Sequence, residues 1–391
     1  MENWKNLLEG KMSPNQDKLK KAQENALEKI NRNMVKFHKL FPSACTKDGI
    51  YGFDENLGGW TTNFWTGQLW LAYEMTGKEL YRQCAEAHME SFKNRAVNKI
   101  GMGDHDIGFS FTLSTVAGYK VTGDKKLRDI SLLAAEQLLS RFRTKGGFIQ
   151  LWGDENSPPE AYRLIVDCLM NIHLLYWAAE ETGEQRFFHA AKTHFYTTLT
   201  YAIRSDGSAY QNVYFNPENG EVIGKGTKQG ISNEACWSRG QAWVLYGLPL
   251  SYAHLHDSKI IEIYEKSVNY FFQNCPDDFI PFWDLIFTEK DAQPRDSSAA
   301  AIAVCGLLEA VKNMPEGDKR SVLWKGAADC MMESLLDSYT SCDRPETEGL
   351  LLHGCYHVRE NLGVDECMSW GDYFFMEALM RYLHPDWRKY W

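Results

Sequence analysis

The chain has 391 residues, 44% hydrophobic and 24% charged, with 42 Lys+Arg against 52 Asp+Glu for a formal net charge of −10. Those proportions are globular and exclude disordered and fibrous classes. No apolar run approaches the ~20 residues of a membrane span. No Lys/Arg block offsets the negative charge, which argues against a nucleic-acid or membrane partner.

The start, Met1-Glu2-Asn3-Trp4-Lys5-Asn6, is polar with no apolar core behind it, so no secretory signal is read and a cytoplasmic location is expected. An amphipathic helix follows, from about Gln16 to Phe37. Then a unit repeats: a mostly apolar helix, a short turn, and an amphipathic helix. The turns are Met75-Thr76-Gly77-Lys78, Val121-Thr122-Gly123-Asp124, Glu181-Thr182-Gly183-Glu184, His256-Asp257-Ser258-Lys259 and Pro315-Glu316-Gly317-Asp318. Glycine just past a helix supplies the left-handed cap. The apolar helices are expected near Phe64 to Tyr73, Ile107 to Tyr119, Leu164 to Ala179, Trp237 to Leu255, Ala299 to Val311 and Tyr373 to Leu383. All-round apolarity means burial, and one-sided apolarity an outer layer.

Six inner and six outer helices follow from this count. Each hairpin can bury its apolar face only on its neighbours, so the predicted fold is all-α, an (α/α)6 barrel forming one domain over residues 1–391. Gly146 to Leu151 and Ala209 to Ile223 alternate polar and apolar residues and read as loops or short hairpins inserted between helices. The insertions precede inner helices, so they gather at those helices' N-terminal ends. That end is the expected functional mouth, and its helix dipoles favour anions.

Asp106 is expected at the start of the second inner helix, as an N-cap or a functional acid. Asp167 is expected inside the third, among Leu, Ile, Val and Met, where a carboxyl must be paired or held protonated. Burial raises such a pKa toward the range a general acid needs. Arg239 and Trp243, four apart, share a helix face and suit a carboxylate and a stacked ring. The alternative for Arg239 is an ion pair with Glu234. Trp60 and Trp152 sit in loops of the same rim, as core aromatics or sugar platforms. The chain holds 13 Trp, 19 Tyr and 20 Phe, numbers that suit stacking on sugars as well as a large core.

Gly224-x-Gly226-x-x-x-Gly230 is neither a dinucleotide fingerprint nor a P-loop. No His-Glu-x-x-His and no Gly-x-Ser-x-Gly occurs. His353 and His357 lie in a glycine-containing loop without an obvious third ligand, so no metal and no cofactor is expected. None of the ten cysteines forms a Cys-x-x-Cys pair, and reduced structural thiols are expected.

Trp60-Thr61-Thr62-Asn63-Phe64-Trp65-Thr66-Gly67, His105-Asp106-Ile107-Gly108-Phe109, Asp167-Cys168-Leu169-Met170-Asn171, Trp237-Ser238-Arg239-Gly240-Gln241-Ala242-Trp243, Pro294-Arg295-Asp296-Ser297-Ser298-Ala299 and Trp370-Gly371-Asp372-Tyr373-Phe374 occur in that order. In this set the sequence resembles the unsaturated glucuronyl hydrolases of glycoside hydrolase family 88. The resemblance implies the (α/α)6 barrel and the removal of C4=C5 unsaturated glucuronic acid from the non-reducing end of lyase-made glycosaminoglycan oligosaccharides, by hydration of the vinyl ether. It also implies Asp167 as general acid/base and Asp106 as second catalytic carboxylate. By the same resemblance Trp60, His105, Trp152, Gln229, Arg239 and Trp243 line the sugar subsites, with Arg239 recognising the uronate. The expected partner is a small oligosaccharide carrying that uronate, and the expected state a monomer or weak homo-oligomer.

Two positions depart from the pattern. Gln211 stands where relatives usually have His. Gly354-Cys355-Tyr356-His357-Val358-Arg359 stands where streptococcal relatives have a sulfate-accepting Ser-x-x-Ser-x-Lys. There His357 and Arg359 would keep positive potential, and weaker dependence on 6-sulfation is expected. The competing readings are an unsaturated rhamnogalacturonyl hydrolase, whose motif usually reads Arg-Gly-Asn-Gly-Trp where this chain has Arg239-Gly240-Gln241-Ala242-Trp243, and a non-catalytic sugar-binding barrel.

Overall fold

A computed structural model describes residues 3–8, 13–54, 59–154, 157–315 and 317–391. The inner helices are Thr62–Thr76, then Ile107–Phe111 running through a π-turn Thr112–Val116 into Ala117–Thr122, then Cys168–Asn171 followed by His173–Thr182, then Ser238–Leu255, Ser297–Asn313 and Ser369–Leu383. Each packs on the next, and Ser369–Leu383 packs back on Thr62–Thr76, so the ring closes. The outer helices are Gln16–Lys36, Glu79–Asn98, Lys125–Leu139, Gln185–Tyr201, Ser258–Gln273 and Lys319–Ser334. The expected (α/α)6 barrel is the observed one. Among the described residues no helix is long and apolar enough to cross a membrane.

The turns show how the sequence sets the ring. Gly77, Gly123 and Gly183 take φ of 67°, 74° and 77°, and each donates its N–H to the carbonyl four residues back. A Cβ there would meet nothing within 4 Å, so the left-handed backbone rather than space selects glycine. The threonine before each glycine does two jobs. Thr76, Thr122 and Thr182 donate to the carbonyls of Ala72, Gly118 and Ala178 at 2.6–2.7 Å. Their hydroxyls also accept the N–H of the residue two further on. Asp124, Asp257 and Asp318 then cap the following outer helices.

The π-turn in the second inner helix was not legible in the pattern. Ser114 and Thr115 donate back to the carbonyls of Ser110 and Phe111. Trp70 Nε1 takes the Ser114 carbonyl at 3.0 Å. Side-chain competition for backbone groups is a known origin of such turns.

The insertions form small antiparallel sheets at the mouth: Pro42–Lys47 with Ile50–Phe53, Phe142–Arg143 with Phe148–Ile149, and Gly354–His357 with Leu362–Glu366. A three-stranded sheet orders Arg163–Ile165, Asn212–Phe215 and Val222–Gly226. This corrects the third inner helix. Leu164 and Ile165 are strand residues paired to Val213 and Asn212, and the helix begins at Cys168. A short apolar run reads alike as helix or strand, and pairing partners decide it.

Candidate active site

That correction moves Asp167 from the middle of a helix to its N-cap position, matching Asp106 at the N-cap of Ile107–Phe111. Neither side chain caps its helix. Both are therefore available to the cavity between them. The two inner helices meet closely here: a Cβ on Gly108 would lie 2.2 Å from the Asn171 carbonyl oxygen, so only glycine fits. Asn171 then bridges the two helices. It accepts the Phe109 N–H at 2.6 Å and donates to Asp106 Oδ1 at 3.2 Å.

His105 lies fully buried between the two acids. Its Nε2 is 3.2 Å from Asp167 Oδ1 and 3.5 Å from Asp106 Oδ1. One donor atom from each of the three residues lies within 4.8 Å of the others. Burial disfavours the imidazolium, but Asp106 and Asp167 outweigh it and raise His105 well above its ordinary pKa. For Asp106, burial dominates; Asp104 and Asp167 add to it, His105 opposes it, and the carboxyl is pushed up to about 8. Asp106 thus carries a carboxyl raised toward neutrality. The same three residues are the one group among the described residues with a metal-compatible spacing. His353, by contrast, pairs with Asp365 at 2.6 Å, away from His357.

All eight residues singled out from the sequence line one cavity of about 310 Å³: Trp60, His105, Asp106, Trp152, Asp167, Gln229, Arg239 and Trp243. Trp60 stacks on Trp370 with centroids 5.1 Å apart and donates Nε1–H to the Tyr356 hydroxyl at 3.1 Å. Trp243 is wedged between Phe109 and Phe374 as part of the floor. Trp152 stands at the rim, 43% exposed.

Arg239 differs from expectation. Its partner is Asp296, at 3.3 Å, and not Glu234. Its Nη1 also donates to the Cys355 carbonyl and its Nη2 to the Tyr356 carbonyl at 2.9 Å. Trp237 and Trp370 sandwich the guanidinium, while Trp243 does not stack on it. Glu234 lies on an exposed turn, and no local spacing signals a partner 57 residues away in Asp296.

Gln211 accepts three bonds through Oε1, from the Thr227 hydroxyl and the Lys228 and Gln229 N–H groups. Its amide donates to Gln229 Oε1 at 2.7 Å, and Gln229 donates to the Tyr356 carbonyl. The departure from His thus fixes the loop that presents Gln229. Arg359 is also corrected: it donates to the Lys228 and Gly230 carbonyls and is not among the residues lining the cavity, where His357, Lys228 and Glu360 stand. Tyr356 and Arg163 line it too. Sequence reading gave neither a role: Tyr356 was passed over within the 354–359 loop, and Arg163 lies in no recognisable motif.

A ring of paired helices with two carboxylates and tryptophans at its mouth suits a carbohydrate-active enzyme. The description Glycosyl Hydrolase Family 88 matches residues 31–367. The unsaturated chondroitin disaccharide hydrolase of Streptococcus pneumoniae is 41% identical over 370 residues, covering 95% of this chain and 93% of that one. The crystal structure of unsaturated glucuronyl hydrolase from Streptococcus agalactiae superposes with a TM-score of 0.95 at 40% identity, covering 99% of this chain and 97% of that one. A mutant of the same enzyme, complexed with dGlcA-GalNAc6S, gives 0.88 at 37% identity, with the same coverages. The chain belongs to glycoside hydrolase family 88 and is an enzyme of the unsaturated glucuronyl hydrolase type.

Proposed function

We propose that this enzyme releases C4=C5 unsaturated glucuronic acid from the non-reducing end of chondroitin and hyaluronan disaccharides made by lyases. The observation that carries this reading is the approach of Asp106, His105 and Asp167 within 4.8 Å at the base of a tryptophan-lined cavity in a family 88 chain. The chemistry is hydration. Asp167 protonates C4, and positive charge develops at C5 and the ring oxygen. The Asp167 carboxylate then takes a proton from the water that adds to C5. The hemiketal opens by breaking the C5–O bond of the ring, and the exposed hemiacetal at C1 releases the neighbouring sugar. The distance rule for ordinary glycosidase carboxylates does not apply, because the anomeric carbon is not attacked.

Asp106, protonated below about pH 8, donates to the sugar hydroxyls and keeps a second negative charge away from Asp167. His105 holds both acids. Trp60 and Trp243 shape the uronate subsite, and Trp152 supports the following sugar. Arg239 contributes positive potential to the uronate while keeping its bonds to the wall. No metal is required by these steps, and activity in chelator should equal activity without it.

The altered loop at 354–359 supports weaker dependence on 6-sulfation than in relatives, since Arg359 is spent on backbone carbonyls. The pectin alternative draws nothing from Gln241, which bonds the Gly207 and Ser267 carbonyls in the outer wall. All eight residues assigned to the site come from one chain, which accords with a monomer or weak homo-oligomer. All ten cysteines are thiols, which accords with a reducing, cytoplasmic setting.

The test is ultraviolet absorbance of unsaturated disaccharides from hyaluronan, chondroitin and its sulfated forms. Loss of the C4=C5 signal on glycosaminoglycan disaccharides supports the reading. Loss only on a rhamnogalacturonan disaccharide would overturn the substrate, and loss on none would leave a sugar-binding barrel.

A further inference from the structure

The cavity contains a second arginine, and its surroundings differ from those of Arg239. Arg163 opens the strand Arg163–Ile165 and is 7% exposed. Its guanidinium is stacked between Trp152 and Tyr214, 5.1 and 5.4 Å from their ring centroids. Among the described residues Nη1 makes two hydrogen bonds, both 3.5 Å long, to the Glu160 carbonyl and the Tyr214 hydroxyl. Nε is buried, with no hydrogen-bond partner among the described residues. Among the described residues no carboxylate lies within ion-pair distance of it, whereas Arg239 has Asp296 and two carbonyls.

A buried guanidinium without an acid is costly, because Arg cannot shed its proton. Relief comes when a ligand brings the anion, and the planar fork of Arg suits a two-oxygen contact with a sulfate or carboxylate. The position narrows which anion. Arg239 lies within electrostatic reach of Asp167 and so faces the reacting uronate. Arg163 is held by Trp152 at the rim. Arg163 covers one face of that indole, and the exposed remainder borders the cavity as a platform for the next sugar. The ring fixes the side as well. Arg163 precedes the third inner helix and the hairpin at Gly354–His357 precedes the sixth, so the two stand across the mouth from each other.

Resting on the function proposed above, we propose that Arg163 binds a sulfate ester on the sugar that follows the unsaturated uronate. The ester sits at a ring position other than the one facing the hairpin Gly354–His357. Trp152 stacks that sugar and Arg163 reads its acidic substituent. The enzyme's sulfation preference is thereby moved to the opposite wall from the altered 354–359 loop.

The experiment compares Arg163→Gln and Arg163→Lys with wild type on unsulfated, 4-sulfated and 6-sulfated unsaturated chondroitin disaccharides. The ratio of kcat/KM between substrates is insensitive to the fraction of variant that folds. The expected result is that Arg163→Gln loses about tenfold more on the 4-sulfated isomer than on the unsulfated or 6-sulfated disaccharide, in KM rather than kcat, as loss of a charged hydrogen bond requires. Arg163→Lys recovers part of it. An equal loss on every substrate, or a wild type that accepts only the unsulfated one, overturns the proposal and leaves the hydrolase reading standing. A wild type inactive on all of them overturns the hydrolase reading itself.

Discussion

The barrel buries charge at both ends, and the two clusters are built by opposite rules. At the base, Glu309 meets Arg381 at 3.0 Å and Lys389 at 2.7 Å, while Glu377 meets Arg381 at 3.0 Å and the indole N–H of Trp391 at 2.9 Å. Two acids face two cations. Burial works against ionisation of Glu309, but Arg381 and Lys389 overcome it and draw its pKa down to about 2. At the mouth, Asp104, Asp106 and Asp167 share one imidazole, and Asp106 rises to about 8. His105 Nδ1 has no hydrogen-bond partner. The same scaffold thus satisfies charge where it holds the ring together and leaves it unsatisfied where a substrate enters. Perturbed carboxyls in a cavity point to function, whereas a saturated network points to architecture.

The largest effect should come from breaking the mouth. Asp167→Asn is expected to lower kcat by about 10²–10⁴-fold, the range for a general acid/base, with the fold intact by circular dichroism. Full activity in that variant would remove Asp167 from the mechanism. Next, Arg381→Met at the base leaves Glu309 and Glu377 short of a cation. A broken buried pair costs about 3–5 kcal/mol, so the melting temperature falls sharply while the kcat of folded enzyme is kept. A large fall in kcat without a fall in stability would blur the two clusters.

The pH responses should have opposite signs. Glu309 has a lowered pKa, so its stabilising contribution is present above the ordinary glutamate value and lost as pH falls toward about 2. Asp106 has a raised pKa, so its contribution is present at low pH and lost as pH rises through about 8. Asp106→Asn should therefore melt higher than wild type at pH 9 and no higher at pH 4, while losing activity at both. Wild-type activity should also decline as pH passes about 8. The smallest effect is expected at the rim: Trp152→Ala should raise KM several-fold with kcat little changed.

The mouth cluster and the ring were legible in the sequence for different reasons. Thr-Gly pairs at three of the hairpin turns, Thr76-Gly77, Thr122-Gly123 and Thr182-Gly183, mark helix ends by a local backbone rule, and the alternation of apolar and amphipathic stretches let the remaining repeats be counted. Asp106 and Asp167 stood out as acids beside apolar residues. What stayed hidden depends on pairing across the chain. Leu164 and Ile165 are strand because Val213 and Asn212 lie beside them. Arg239 pairs with Asp296, and Arg163 stacks on Tyr214, through contacts 57 and 51 residues away. The rise of the Asp106 carboxyl was equally invisible, because it depends on burial and on how Asp104, His105 and Asp167 surround it.

The most direct test follows two signals in one reaction: the C4=C5 absorbance and the reducing end of the released sugar, sampled early with wild type and Asp167→Asn. Hydration at the mouth cluster predicts that the double bond disappears no later than the sugar is freed, and that Asp167→Asn abolishes both together. Sugar released ahead of absorbance loss would contradict it, for attack would then fall on the anomeric carbon.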